Sequence, residues 1–355
     1  MKILVITLSG IGDSLLFTPA LKILKQEKPG WLVDVLVMFP GAADIFRNNS
    51  DVNEVITFNF MREGFLKSLR FLLKLRGRYD ITINAYPSNR KEYNILSYII
   101  GAKKRAAVKY LRMNFSNFGF LNNITANEDD SVHCVQTNIR MVEKILNKKI
   151  TEEPPLQFPL DETNYAFAEN YFSEHGFTGR RVIGFHAGCS TLKNHIKRRW
   201  EPEKFAELGK KLLTGNNTSV LLFGGKEEEE LKLRIKNFIN SEHVFIISTN
   251  NLADTAALIK NCSVFVTNDS SLMHVASAMQ TSTVAIIGPT NVDYIHPWKT
   301  RYKIATLNLD CSPCFFYSPK PLNCKRDDIK YKCIRELDVE IVLNSVYYLL
   351  KANEK

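Results

Sequence analysis

Three clusters in this chain have residue types and spacings that could do chemistry, and a fourth could hold a metal. The first is Ser9-Gly10-Ile11-Gly12-Asp13-Ser14. Ser9, Gly10 and Gly12 make a small-residue loop that a ligand can approach closely, and a helix starting there would offer backbone N–H groups to an anion. Asp13 has two readings. A carboxylate at a strand-to-helix turn commonly caps the helix. The same carboxylate facing a ligand can take the proton from an attacking hydroxyl. The spacing G-x-G-D lacks the third glycine of the dinucleotide fingerprint.

The second cluster is Thr267-Asn268-Asp269-Ser270-Ser271-Leu272-Met273-His274. Asp269 could cap a helix that begins here. Ser270 and Ser271 stand where hydroxyls and backbone N–H groups could receive a diphosphate. His274 falls one turn into that helix, either as a satisfied structural residue or as a working one. The third cluster runs from His186 to Trp200 and ends Lys197-Arg198-Arg199-Trp200. Such a run is usually a solvated basic loop. Its alternative is a set of cations that neutralise phosphate on a leaving nucleotide, with Arg198 and Lys197 the candidates. Gly224 and Gly225, directly after Leu221-Leu222-Phe223, belong to a further loop on the same strand-end edge.

The fourth cluster is Cys311-x2-Cys314-x9-Cys324-x8-Cys333. A C-x2-C pair bites one metal ion, and two more thiolates complete a tetrahedron. Lys320, Lys325, Arg326, Lys330 and Lys332 would offset their charge. The expectation is a structural metal site, zinc first and iron second, with no open position for catalysis; the plainer reading is free thiols or a disulfide pair. Cys134, Cys189 and Cys262 read as isolated buried residues.

These loops need elements to carry them. Lys2 to Leu8, Trp31 to Met38 and Asp80 to Ala85 read as strands, and the segments after Asp13, from Phe60 to Leu75 and from Glu92 to Ile100 as helices. Pro19 should kink the first helix or delay its start. In Phe60 to Leu75 the residues Phe65, Leu69, Leu72 and Leu73 form the apolar register. The stretch from about Ile150 to Arg180 carries Pro154, Pro155 and Pro159 and reads as a poor helix or sheet interior. The strand-helix rhythm then restarts at Arg181 and runs to Ile287, and Asp338 to Lys351 closes the chain as a helix. The expectation is an α/β chain of two doubly wound, Rossmann-like domains, residues 1–155 and 156–335, with a terminal helix in 336–355. In such sheets ligands sit beyond the carboxyl ends of the strands. Two halves facing each other would put the site in the cleft between them.

Composition narrows the class. The chain has 355 residues with 45% hydrophobic and 24% charged, which excludes a mini-protein, a collagen-like chain and a wholly disordered one. The net charge of +10 favours acidic partners such as phosphate esters or anionic lipid surfaces. No segment approaches the ~20 apolar residues of a membrane span, and the first residues are not expected to act as a secretory signal. The expected compartment is the cytoplasm. The basic residues are scattered and carry no nucleic-acid-binding signature.

Taken in order, these motifs resemble the ADP-heptose:lipopolysaccharide heptosyltransferases, glycosyltransferase family nine. KILVITLSGIGDSLLFTPALKILK looks like that family's opening. RRWEPEKFAEL is similar to its Lys-Arg-Trp segment, and LLFGGKEEEEL, TNDSSLMHVASA and AIIGPTN to its second-half motifs. His133 to Asn138 fits a further pattern, and the cysteine segment has counterparts in many members. The resemblance implies a glycosyltransferase of the B type, inverting and independent of a divalent metal. It implies an acceptor-binding first half and a second half that binds a nucleotide sugar. Asp13 matches the general-base position, Asp269 the donor-binding Asp, and the residues after it the phosphate loop. The family commonly has Asp-Thr-Gly-Pro where this chain has Asp269-Ser270-Ser271-Leu272, and a Lys where it has Arg198. The implied donor is ADP-heptose or a similar nucleotide sugar. The implied acceptor is a lipopolysaccharide-core glycolipid at the inner face of the cytoplasmic membrane. A capsule glycan or protein hydroxyl as acceptor, and a nucleotide-sugar-binding protein without catalysis, are the alternatives; a retained Asp13 speaks against the last.

Overall fold

The computed structural model describes residues 1–214, 217–316 and 321–353. The chain divides into two compact units. The first holds Met1–Pro159 and Asp293–Ile295; the second holds Leu160–Val292, His296–Phe316 and the described residues from 321 onward.

The first unit is built on six parallel strands: β1 (Lys2–Thr7), β2 (Leu32–Val37), β3 (Glu54–Thr57), β4 (Ile81–Asn84), β5 (Lys104–Lys109) and β6 (Ile124–Asn127). Their order in the sheet is β3-β2-β1-β4-β5-β6. β1 is central, and Ile3, Leu4, Val5 and Ile6 are fully buried, as expected for a strand covered on both faces. The helices are α1 (Ile11–Leu15), α2 (Thr18–Glu27), α3 (Pro40–Arg47), α4 (Gly64–Leu75), α5 (Lys91–Ile100) and α6 (Cys134–Leu146). On one face, Leu4, Ile6 and Leu36 pack against Leu72 and Leu75 of α4 and Tyr93, Leu96 and Ile100 of α5. A 3-10 turn, Gly119–Leu121, continues that layer beside α5.

The second unit repeats the plan with β7 (Arg181–His186), β8 (Thr218–Leu222), β9 (Val244–Ile246), β10 (Val264–Asn268), β11 (Thr283–Ile286) and β12 (Tyr302–Ala305), ordered β12-β11-β10-β7-β8-β9. Its helices are α7 (Glu162–Glu174), α8 (Pro202–Leu213), α9 (Glu229–Ile239), α10 (Leu252–Lys260) and α11 (Ser271–Ala278). The short α12 (Val292–Ile295) follows in the chain, its last three residues counted with the first unit; α13 (Lys332–Arg335) and α14 (Val339–Asn353) complete the second. The last helix packs on α8 and on β10, β11 and β12, so Val342, Val346 and Leu349 close the core of this unit. Each sheet has a switch point, between β1 and β4 and between β7 and β10, where successive connections leave in opposite directions. Doubly wound sheets bind ligands there.

One local expectation holds and two are corrected. Pro19 does delay a helix: α1 stops at Leu15 and α2 begins at Thr18, with the proline in its first turn, where no N–H is required. In α4 the buried residues are Leu72 and Leu75, while Phe65 and Leu73 face solvent. The segment is apolar on two faces, so periodicity alone cannot say which is inward. The stretch judged a poor helix contains α7, thirteen residues long. Asp161 starts it, its carboxylate accepting the N–H groups of Thr163 and Asn164 at 3.0 and 3.1 Å.

Candidate functional site

In the first unit the candidate residues occupy the turn from β1 into α1. Gly10 N–H donates to Asp13 Oδ2 at 3.3 Å, so the carboxylate reaches back over its own helix start from the first turn; it is not the N-cap residue. Asp13 is half-buried. It lies near Tyr93 and Cys134, where its negative charge adds to the burial that pushes both groups' pKa upward. Ser9 Oγ is 2.9 Å from Tyr93 Oη and donates to the Pro87 carbonyl at 3.2 Å, which ties this loop to the one after β4. Gly10 has φ −73°, and a Cβ there would meet nothing within 4 Å. Neither backbone nor packing demands glycine there. Gly12 is buried in α1.

Asn138, from the His133 to Asn138 segment, braces this turn. Its amide nitrogen donates to the carbonyls of Leu16 at 3.2 Å and Tyr86 at 2.9 Å, and its oxygen accepts the Tyr86 N–H at 2.9 Å. The amide is fully buried with donor and acceptor both used, which makes it a specific joint between α6, β4 and the end of α1.

The second unit gathers its candidates more tightly. Parallel pairing sets Thr267 of β10 opposite His186 of β7, so the loops after both strands leave side by side. Arg198 enters from the 3-10 segment Leu192–Arg198 and pairs with Asp269, both side chains being 8% exposed. Thr290 Oγ1 donates to the same carboxylate oxygen at 2.6 Å. Asp269 therefore does not cap α11. The N-cap position belongs to Ser270, and its hydroxyl points elsewhere, 2.9 Å from His186 Nδ1 and 3.1 Å from Thr267 Oγ1. His186 Nε2 lies 3.1 Å from Glu228 Oε2, and Glu228 Oε1 accepts from Arg199 Nη2 at 3.3 Å. Burial alone would push the Glu228 carboxyl up; the His186 hydrogen bond, the His186 and Arg199 charges and the Gly225 N–H together hold it below its ordinary value.

Glycines make room for this network. A Cβ on Gly188 would sit 1.6 Å from Glu228 Oε1, and one on Gly224 would sit 2.6 Å from Oε2. Gly225 N–H donates to Oε2 at 3.2 Å. Ser271 opens α11. His274 is buried in the same helix, and burial brings its pKa down to about 4, so its imidazole is neutral near pH 7. Among the described residues its Nδ1 has no hydrogen-bond partner. His195 Nδ1 lies 3.1 Å from Arg198 Nη2; burial first, then the Arg198 charge, lowers its pKa to about 4 as well.

Lys197 is not drawn into this group. It is exposed, with its ammonium 6.0 Å from the Tyr331 ring centroid. Sequence reasoning placed His186, Gly188 and Arg199 inside the third cluster without giving them a role, and it did not single out Glu228 or Thr290. The available signal was position: His186 ends the strand at the switch point.

The cysteines are free thiols. Cys333 is buried, and its pKa is pushed to about 11 by burial first and then by the charges of Cys314, Cys324 and Cys311. Arg326 Nη1 donates to Cys311 Sγ at 3.5 Å, and Tyr331 N–H to Cys324 Sγ at 3.2 Å. The donor set suits zinc or iron. Even so, among the described residues no group of three or more His, Cys, Asp or Glu is arranged to hold a metal ion. Lys320 lies outside the described residues. Cys134, Cys189 and Cys262 are buried, and burial raises all three pKa values. Among the described residues no helix is long and apolar enough to cross a membrane.

Comparison with known proteins places this geometry. Lipooligosaccharide heptosyltransferase 2 of Campylobacter jejuni subsp. jejuni serotype O:2 is 26% identical over 360 residues, covering 99% of each chain. The solved structure of E. coli ADP-heptose lps heptosyltransferase II matches with a TM-score of 0.76 at 22% identity, covering 100% of both chains. A family 9 glycosyl transferase from Veillonella parvula DSM 2008 matches with a TM-score of 0.79 at 22% identity, over 99% of this chain and 97% of that one. At these identities the two structures establish a shared fold. The family model for glycosyltransferase family 9 (heptosyltransferase) matches residues 68–324, a stretch that begins after Asp13 and includes Arg198, Asp269 and His274. The chain belongs to glycosyltransferase family 9, the heptosyltransferases.

Proposed function

We propose that this enzyme transfers heptose, or a closely related sugar, from ADP-heptose or a similar nucleotide sugar to a lipopolysaccharide-core acceptor, with inversion at the anomeric carbon. The observation that carries the reading is the buried Arg198–Asp269–Thr290 group beside the Ser270 N-cap, at the switch point of a doubly wound sheet. An arginine fork held by a carboxylate, next to the N–H groups opening a helix, suits a diphosphate whose negative charge grows as it leaves. Asp269 orients the arginine and the donor. Ser270, fixed by His186, and Ser271 hold the phosphates. The His274 imidazole is neutral, and its buried Nδ1, unpartnered among the described residues, is the atom assigned to a donor oxygen. Gly224 and Gly225 keep the Glu228 carboxylate in place beneath the loop.

Asp13 is the proposed general base. As the acceptor oxygen attacks the anomeric carbon, the carboxylate takes its proton, the new C–O bond forms, and the bond to the diphosphate breaks with its electron pair leaving on phosphate oxygen. No metal is needed in this scheme. The net charge of +10 suits a phosphorylated glycolipid on an anionic leaflet, with the enzyme peripheral at the cytoplasmic face of the membrane.

The test is turnover of ADP-heptose with a core glycolipid acceptor by the wild type and by Asp13→Asn. A loss of about 10²–10⁴-fold in the mutant is expected. Unchanged turnover would remove Asp13 from the mechanism, and retention of anomeric configuration in the product would remove inversion.

The cysteines are proposed to hold a structural metal ion, zinc first and iron second, with no part in transfer. Support comes from the donor set, its C-x2-C pair and the Arg326 guanidinium beside Cys311. Elemental analysis of purified protein decides it: stoichiometric metal that is lost in Cys314→Ser is expected, and a metal-free, normally folded wild type rejects it.

A further inference from the structure

The outer surface of the α4–α5 layer in the first unit does not look like an ordinary soluble surface. Phe65 is 78% exposed and Leu66 79%, and Leu73, two turns along the same stripe, also faces outward. Along α4, residues 65, 69, 73 and 66 fall on one sector of the helix, residues 70, 74 and 67 on the next, and residues 72 and 75 on the sector packed into the core. The helix therefore shows solvent an apolar stripe bordered by Arg70, Lys74 and Lys67. Residues 61–78 contain six basic side chains and one acidic one, Glu63.

The apolar character continues beyond α4. Tyr98 is exposed on the neighbouring α5. Past it, the loop around the Gly119–Leu121 turn carries Phe115, 81% exposed, its ring tilted 40° against that of an exposed Phe120 at 5.5 Å between centroids. Exposed large apolar groups scattered singly need no explanation. Here they lie on three adjacent elements of one layer and are fringed by cations.

We propose that this face of the first unit is a docking surface for an anionic phospholipid bilayer. α4 would lie in the interface plane, Phe65, Leu66 and Leu73 would sink into the headgroup–acyl boundary, and Lys67, Arg70 and Lys74 would pair with lipid phosphates. The charge decides between occupants. A second copy of this chain would bring the same surplus of cations to the same surface, and like charges would oppose it. A sheet of anionic headgroups over hydrocarbon complements both features at once. The inference deepens the reading of a membrane-borne acceptor and rests on it, but it assigns residues that take no part in donor binding or in proton removal.

The experiment is co-sedimentation of the full chain with vesicles of phosphatidylcholine plus phosphatidylglycerol, against vesicles of phosphatidylcholine alone. No glycolipid is present, so the result is separate from transfer. Wild type and Asp13→Asn are both expected to bind the anionic vesicles and to be released by salt. Phe65→Ser/Leu66→Ser should weaken partition by roughly tenfold or more. Lys67→Gln and Lys74→Gln should each weaken it by about fivefold, with no change in melting temperature. The same variants should retain transfer to a deacylated, water-soluble acceptor. Equal binding to neutral and anionic vesicles, or variants that bind as the wild type does, would overturn the proposal. So would a dimer in sedimentation velocity that Phe65→Ser/Leu66→Ser dissolves. Loss of transfer by Asp13→Asn with vesicle binding intact would leave both readings standing; absence of wild-type transfer with binding intact would fail only the first.

Discussion

The turn after β1 and the loops after β7 and β10 occupy the same place in two sheets of the same strand order, yet they are built on opposite principles. The first is roomy: Asp13 is half-buried, the hydrogen bond to Gly10 is 3.3 Å long, and, its chain neighbours aside, a Gly10 Cβ would meet nothing within 4 Å. The second is crowded and cross-braced. Arg198, Asp269, His186 and Glu228 are all buried, and Gly188 leaves no space even for a methyl group. A site that receives a small, constant, highly charged group can be preformed around it, because rigid donors cost nothing to reorganise when charge develops. A site that receives a bulky acceptor needs access more than it needs a cradle. The comparison teaches that substitutions in the second unit should cost folding as well as activity, and those in the first should cost activity alone.

The largest effect expected on stability is from Asp269→Asn. It leaves the Arg198 guanidinium buried without its counter-charge, a loss of about 3–5 kcal/mol. Chemical denaturation measures it, and a loss below about 1 kcal/mol would mean the pair is not the brace described here.

Next comes pH. His274 has a folded-state pKa near 4 because burial disfavours its charged form, against about 6.5 unfolded. Between those values the unfolded chain binds the extra proton, so stability is full above pH 6.5 and falls as pH drops toward 4, by roughly 3 kcal/mol for this one residue. His195 acts in the same direction. In His274→Gln the melting temperature should fall less steeply across that window, and an unchanged slope would show that the imidazole is not the group responsible.

Gly188→Ala should cost about 1–3 kcal/mol, since the Glu228 carboxylate must move and its contacts with His186 and Arg199 must follow. A crystal structure of the variant with Glu228 unmoved would contradict this account. The smallest effect on stability is expected from Asp13→Asn, within about 0.5 kcal/mol, despite its large expected loss of turnover. If that substitution unfolds the first unit, the contrast between the two loops fails.

Much of the fold was legible because buried parallel strands announce themselves. Lys2 to Leu8 reads as a strand and contains β1, and the rhythm expected to restart at Arg181 does so with β7. β3, β5, β6 and β12 went unread because they are short or carry charge at their ends, as in KRAAVK. α7 was hidden by weak amphipathicity: only Asn164 and Ala168 are buried along it. In the second unit Arg198, Asp269 and Ser270 were visible as chemistry-bearing residues after strands. Their partners were not. His186 meets Glu228 from 42 positions away and Ser270 from 84, and no local pattern encodes either pairing. Lys197 was expected beside Arg198, but adjacent residues on a tight helical turn point in different directions, and it lies by Tyr331.

The amide of Asn138 carries a consequence for how this protein comes into being. The carbonyl of Leu16, just past the turn that bears Asp13, finds its partner in a residue 122 positions further on. A ribosome making the chain must therefore release nearly the whole first unit before that bond can close. Until then the oldest part of the nascent polypeptide waits, its most delicate corner unfinished, for the youngest helix of the same unit to arrive.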